Sequence, residues 1–140
     1  MDVGRQEKIR AVLDTNVLLG LAARPLLILA RQNVFQIVWS DFIEAEAERV
    51  MGRLKWNPVN AAALLRAIDQ MAERVDYQQI TGGNYEEWLT DVDDHPIMAT
   101  ALMGRVDYIV TSNTKDFPPK KQFAGITIIT PDAFLRLLES

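Results

Sequence analysis

Cysteine is absent from this chain of 140 residues, and histidine occurs once, as His95. Without cysteine there is no disulfide framework, no zinc site built on thiolates and no cysteine nucleophile. A single histidine excludes metal sites built on several imidazoles and argues against a Ser-His-Asp triad. Any catalytic site must therefore draw mainly on oxygen-bearing side chains.

Long apolar runs and an excess of basic residues are also missing. No run approaches the roughly 18 residues of a membrane span, and the polar start of the chain, Met1 to Lys8, does not resemble a signal peptide. We therefore expect a cytoplasmic protein with no membrane segment. Nineteen acidic residues against fifteen basic ones give a net charge of −4. That sign is wrong for holding nucleic acid by charge alone, but it suits carboxylates gathered around a divalent metal and leaves room for a basic partner.

The length predicts one domain over residues 1–140, large enough to bury a core without crosslinks. Apolar runs alternate with helical patterns, which predicts an α/β fold with a mainly parallel sheet flanked by helices. Strands are predicted at Ile9–Leu13, 34–39, 75–80, 106–111 and Ile126–Ile129. Helices are predicted at 25–32, 41–54, 58–74, 96–103 and 131–138, with Ser40 as the N-cap of the second helix.

Acidic residues follow the predicted strands or open the predicted helices. Asp14 ends the first strand, Glu44 and Glu46 lie in the second helix, Asp94 precedes a later helix, and Asp116 follows a strand. In open α/β sheets, ligands bind at the carboxyl edge of the strands. Carboxylates gathered at that edge are the ligands that Mg²⁺ and Mn²⁺ take, and such ions promote hydrolysis of phosphodiesters.

Each acidic residue also has a structural interpretation. Asp14 could be a turn residue, Asp94 a helix cap and Asp116 part of a surface loop. Residues two apart in a helix point away from each other, so Glu44 and Glu46 cannot both face one site. Helical periodicity leaves open which of the two would do so.

Four segments together resemble the PIN-domain ribonucleases, the family that includes the toxins of VapBC-type toxin–antitoxin pairs. The segments are VLDTNVL at 12–18, the stretch from Ser40 to Glu46, DVDDHPIMATAL at 91–102 and YIVTSNTKDF at 108–117. They follow one another in order over nearly the whole chain. The resemblance implies a three-layer PIN-like sandwich and a metal-dependent endoribonuclease, in which activated water attacks the phosphate in line and leaves a 5′-phosphate and a 3′-hydroxyl.

The resemblance also implies roles for individual residues and partners. It implies that Mg²⁺ or Mn²⁺ is held by a catalytic quartet and that three polar residues lie beside it. The fourth acidic position stays open between Asn113 and Asp116. A toxin of this kind would have RNA as substrate, a cognate antitoxin covering its site and a second copy of itself as dimer partner. The implied quartet is Asp14, Glu46, Asp94 and Asp116, and the implied neighbours are Asn16, Thr111 and Asn113.

Two other functions fit parts of the sequence. A catalytically inactive PIN-like module would bind RNA or protein without cleaving it. A phosphoacceptor receiver domain also gathers acids and a lysine at a sheet edge, here Asp14 and Lys115, but it needs a second acid after the first strand, and Thr15 stands there. The RNA target, the cleavage sequence and the number of metal ions cannot be read from the sequence.

Overall fold

A six-stranded sheet forms the centre of the protein in a computed structural model that describes residues 8–77, 95–113, 122–123 and 125–139. The strands lie in the order β3-β2-β1-β4-β6-β5, and β5 alone runs antiparallel to its neighbour. The strands are β1 (Ile9–Leu13), β2 (Phe35–Trp39), β3 (Glu73–Arg74), β4 (Tyr108–Val110), β5 (Gln122–Phe123) and β6 (Ile126–Ile129).

Six helices accompany these strands within the described residues. They are α1 (Thr15–Leu18), α2 (Ala23–Arg31), α3 (Asp41–Arg53), α4 (Pro58–Met71), α5 (His95–Met103) and α6 (Pro131–Glu139). None of these six has both the length and the apolar character that crossing a membrane requires. The predicted α/β class with a mainly parallel, helix-flanked sheet is confirmed.

Neighbouring side chains of a strand point to opposite faces of the sheet. Because the last three residues of β1 are all buried, both faces of the sheet are covered by helices. Phe35 of β2 packs edge-to-face on Phe134 of α6, with ring centroids 5.1 Å apart. Val38 points the other way, toward Gly104 at the end of α5, where a Cβ atom would lie 2.5 Å from the valine methyl. The core therefore lies in two layers, one on each side of the sheet, as in a three-layer sandwich.

The predicted boundaries hold within one or two residues for most helices. Two short elements, α1 and the strand Gln122–Phe123, were not predicted, and the end of the fourth helix and the third strand were misplaced. A short helix, α1, begins at Thr15, where we expected only a turn. The fourth helix ends at Met71, and the third strand is Glu73–Arg74 rather than 75–80, because it pairs with Val38 and Trp39 at the sheet edge. Of the expected strand 75–80, residues 78–80 lie outside the described residues.

Ser40 occupies the predicted N-cap position of α3, but its side chain does not cap the helix. Its hydroxyl lies 2.8 Å from that of Thr100 on α5, and both residues are fully buried. Thr100 in turn donates to the carbonyl of Pro96 at 2.7 Å. The serine therefore ties the carboxyl end of β2 to the first turns of α5.

Candidate metal centre

Asp14 lies at the carboxyl end of β1, which pairs with β2 on one side and β4 on the other. Its backbone N–H donates to the carbonyl of Val110 at 3.0 Å, so β4 fixes its position. The side chain is 5% exposed. A carboxylate this deeply buried is uncommon unless it is hydrogen-bonded, ion-paired or bound to a metal.

Three donors hold the Asp14 carboxylate. Oδ1 accepts from the backbone N–H of Thr15 at 2.8 Å. Oδ2 accepts from the Thr111 hydroxyl at 2.8 Å and from the Asn16 amide at 3.2 Å. The orientation of the acid is therefore set from two strand ends, that of β1 and that of β4.

The segment after β4 is joined to the same network. The backbone N–H of Asn113 donates to Thr111 Oγ1 at 2.9 Å, and that of Ser112 donates to Asn16 Oδ1 at 3.2 Å. The Thr111 hydroxyl thus accepts one hydrogen bond and donates another to Asp14. Asn16, Thr111 and Asn113, singled out from the sequence, all lie beside Asp14 in the structure.

Glu46 reaches the same place from α3. The Thr15 hydroxyl donates to Glu46 Oε1 at 2.8 Å, while the Thr15 backbone N–H binds Asp14. One residue therefore joins two carboxylates that are separated by 32 positions in the sequence. Sequence reasoning did not single out Thr15. Its signal was its position directly after the strand-end acid.

Glu44 points elsewhere. Its Oε1 accepts from Arg74 at 2.9 Å, and the same guanidinium binds Asp41 and Asp69. Arg74 also lies over the Trp39 ring, with its guanidinium carbon 5.2 Å from the ring centroid. The geometry therefore places Glu46, and not Glu44, beside Asp14.

Burial raises the pKa of Asp14 above its ordinary value of 3.8, and the nearby negative charge of Glu46 raises it further. The hydrogen bonds from Thr111, Thr15 and Asn16 act in the opposite direction without cancelling the effect of burial. The site thus holds two neighbouring carboxylates, and the negative charge of Glu46 opposes the ionisation of Asp14. A divalent ion would relieve that repulsion.

A cavity of about 400 Å³ opens beside the two acids. The hard oxygen donors that face it are the chemical type that Mg²⁺ and Mn²⁺ prefer, so the residues fit such an ion. Among the residues that the structure describes, no group of three or more aspartates, glutamates or histidines is arranged so that it could hold a metal ion. Asp94 and Asp116 lie outside the described residues. The cavity is lined by Asp14, Thr15, Asn16, Leu19, Glu46, Val50, Arg53, Leu54 and Asn113.

The sequence profile of the PIN domain matches residues 10–115. That span is well over half of the chain and includes β1, the Asp14–Glu46 pair and the Thr111–Asn113 segment. The chain therefore belongs to the PIN-domain family, whose members are typically nucleases that use divalent metals. No curated protein matches the chain as a relative.

Proposed function

We propose that this protein is a Mg²⁺- or Mn²⁺-dependent endoribonuclease and the toxin of a toxin–antitoxin pair. The buried Asp14 carboxylate, held beside Glu46 at the carboxyl edge of the sheet, is the observation that carries the proposal. The two carboxylates are the ligand type that a metal-dependent nuclease uses, and the chain belongs to a family whose members are typically nucleases.

Asp14 and Glu46 would hold the ion, with Asp94 and Asp116 completing the proposed quartet. When bound, the ion supplies positive charge for the scissile phosphate and activates water for attack. The hydrogen bonds from Thr111 and Asn16 favour the ionised form of Asp14 and fix its orientation, and Thr15 joins Asp14 to Glu46.

Cleavage of a structured RNA by the purified protein tests this proposal. We expect cleavage with Mn²⁺, none with EDTA, and a loss of at least about a hundredfold in Asp14→Asn, as for removal of a group that stabilises the transition state. Glu44→Gln is the matched control, because Glu44 binds Arg74 instead of facing the cavity. Equal cleavage by the wild-type protein and Asp14→Asn would mean that the activity is a contaminant.

An apolar groove next to the site supports the proposal of an antitoxin. It lies between α2 and α4, has a volume of about 490 Å³ and shares Leu19 with the acidic cavity. Exposed apolar surface of this kind marks protein interaction sites. Its apolar lining suits an apolar segment of a partner, and a basic side chain of that segment could reach the two acids.

Expression in a bacterial host separates the toxin role from the nuclease activity. We expect the wild-type protein to arrest growth in the cytoplasm, the compartment we propose for it, and Asp14→Asn to leave growth unchanged. A short upstream reading frame encoding a DNA-binding protein would be the first antitoxin candidate. Growth without arrest, despite cleavage by the purified protein, would contradict the toxin role alone.

We also propose a homodimer. Leu21 and Val59 are large apolar residues that are 102% and 75% exposed in the isolated chain. Light scattering of the purified protein would give the mass directly, with 15.8 kDa per chain. A mass of one chain across the accessible concentration range would contradict the dimer.

A further inference from the structure

One face of α3 carries a stripe of side chains that begins before Glu46 and ends beyond it. Phe42, Glu46, Arg49 and Arg53 follow one another at intervals of four, three and four residues. This spacing places side chains along one face of a helix. The stripe extends roughly 16 Å at the helical rise per residue.

Two cavities lie along this stripe, and Glu46 lines both. The first is the cavity of about 400 Å³ that Asp14 and Arg53 line. The second, of about 320 Å³, is lined by Phe42, Ala45, Glu46 and Arg49. Glu46 is therefore shared by two cavities, and each cavity is lined by one arginine.

Neither Arg49 nor Arg53 forms a close ion pair with a described residue. Arg49 has a single loose contact, 3.9 Å from Glu46, and its side chain is 62% exposed. Arg53 is exposed and has no ion pair with any described residue. Arg10 and Arg74, by contrast, are bound to carboxylates.

Charge explains why two exposed guanidiniums, neither held by a close ion pair, would matter at this place. A chain with a net charge of −4 repels a polyanion overall, so contact with phosphates requires local cations. The two arginines offset the two acids, Asp14 and Glu46, within one surface. Arg53 lies in the last turn of α3, where the helix dipole favours a basic residue. Arg49 lies one turn earlier, and the dipole does not explain a basic residue there.

We infer that this stripe is the track along which an unpaired RNA strand crosses the carboxylate pair. Arg49 and Arg53 hold phosphates on one side of the carboxylate pair, and the half-buried Phe42, on the other side of Glu46 along the helix, offers an aromatic surface to a base. Phe42 is itself held edge-on by Tyr77, with centroids 6.3 Å apart. Unpaired bases stack on aromatic side chains in this way, whereas bases within a duplex do not. The inference rests on the proposed function for its substrate class.

Binding of a fluorescent, unpaired RNA of about ten nucleotides, a length typical of such sites, tests the track without any cleavage. The assay contains EDTA and compares the wild-type protein with Arg49→Ala and Arg53→Ala. Arg66→Ala is the matched control, since it removes the same charge from an exposed position on α4. We expect each stripe variant to weaken binding about tenfold and to reduce the salt slope by about 0.7 per lost phosphate contact. Arg49→Lys and Arg53→Lys should retain most of the slope.

Equal binding by the two stripe variants and Arg66→Ala would overturn the track, as would the absence of any RNA binding by the wild-type protein. A duplex of the same sequence that bound with the same arginine dependence would overturn the single-strand assignment. With Mn²⁺ present, we expect KM to rise about tenfold in the stripe variants while kcat changes by no more than about twofold. Arginine-dependent binding without any cleavage by the wild-type protein would contradict the nuclease proposal and leave the RNA track standing.

Discussion

At the scale of single residues, the environment of Asp14 combines two opposing effects. Burial favours its neutral form, whereas the donors on Thr111, Thr15 and Asn16 favour the carboxylate. A metal ligand must be ionised when the ion binds. The balance between burial and these three donors therefore determines the pH at which the site can bind a cation.

Removing one donor to Asp14 should raise the pH at which the site can bind a cation. In Thr111→Val, a buried hydroxyl that donates to Asp14 at 2.8 Å is replaced by a methyl group of similar size. Because this hydrogen bond lowers the pKa of Asp14, its loss raises that pKa further. We expect Mn²⁺ affinity to appear at higher pH than in the wild-type protein and the free energy of unfolding to fall by about 1–2 kcal/mol. Calorimetric titration with Mn²⁺ across a pH series measures the first effect, and urea denaturation the second.

Ser112→Ala is the control for this substitution. It removes the neighbouring exposed hydroxyl and keeps the backbone N–H that donates to Asn16. The pH dependence of Mn²⁺ binding should stay as in the wild-type protein. An identical profile in Thr111→Val would mean that its hydroxyl does not tune Asp14.

The choice between Glu44 and Glu46 as the neighbour of Asp14 shows how far local sequence can predict a site. Helical periodicity excluded a shared orientation of Glu44 and Glu46 but could not choose between them. The choice depends on Arg74, which lies 30 residues after Glu44 and binds it. The position of Asp14 at a strand end was predictable, because an apolar β-forming run stops there. The contacts that residues distant in sequence make with the two glutamates were not predictable from the local pattern.

At the scale of elements, Arg74 joins three of them. From β3 it binds Asp69 on α4 and both Asp41 and Glu44 on α3. Its hydrogen bond lowers the pKa of Asp69 below the ordinary value of 3.8. Besides its backbone pairing with β2, this two-residue strand is therefore tied to two helices through one side chain.

Arg74→Met should loosen that edge. We expect a loss of about 1–2 kcal/mol in the free energy of unfolding at neutral pH, a modest value because the side chains are partly exposed and screened. A lowered folded-state pKa contributes stability above the unfolded pKa, and that contribution is lost as pH falls through the folded value. The difference from the wild-type protein should therefore shrink below about pH 4. Urea denaturation from pH 3 to pH 7 tests this, and a difference that did not change with pH would rule out the ionic contribution.

Two glycines should respond to alanine in opposite directions. Gly52 occupies an exposed position in α3, and an added Cβ atom would meet no atom beyond the adjacent helix backbone within 4 Å. Because alanine favours the helix more than glycine does, Gly52→Ala should stabilise the protein by about 0.5–1 kcal/mol. At Gly104, the added Cβ would lie 2.5 Å from a Val38 methyl and 3.2 Å from the Thr100 carbonyl oxygen. Gly104→Ala should destabilise the protein by about 1–3 kcal/mol. Thermal unfolding of both variants decides the matter, and a stable Gly104→Ala would mean that α5 can move away from β2.

The elements that sequence patterns missed were the short ones. Four residues of α1 and two of β3 are too few to show a period, and β3 exists because it pairs with Val38 and Trp39. Longer elements were predictable from their periodicity and caps. Asn57 illustrates this, since its side chain accepts from the backbone N–H of Val59 and Asn60, as a helix N-cap does.

At the scale of the whole molecule, a bound ion should stabilise the fold. Binding only to the folded state at one hundred times Kd contributes about 2.7 kcal/mol, which raises Tm by about 5–10 °C for a chain of this size. We expect this shift with Mn²⁺ for the wild-type protein and for Glu44→Gln, and its loss in Asp14→Asn. Differential scanning fluorimetry with and without EDTA measures it. An equal shift in all three proteins would place the ion elsewhere.

The hydrogen bond between Asp14 and Thr111 joins residues 97 positions apart. Asp14 is synthesised first, and its donor at the end of β4 follows only after the intervening residues have been made. At synthesis rates of about 5–20 residues per second, the delay is roughly 5–20 s. Until then the nascent chain carries an incomplete site. The proposed nuclease therefore gains its complete set of Asp14 donors only after that interval of its own synthesis.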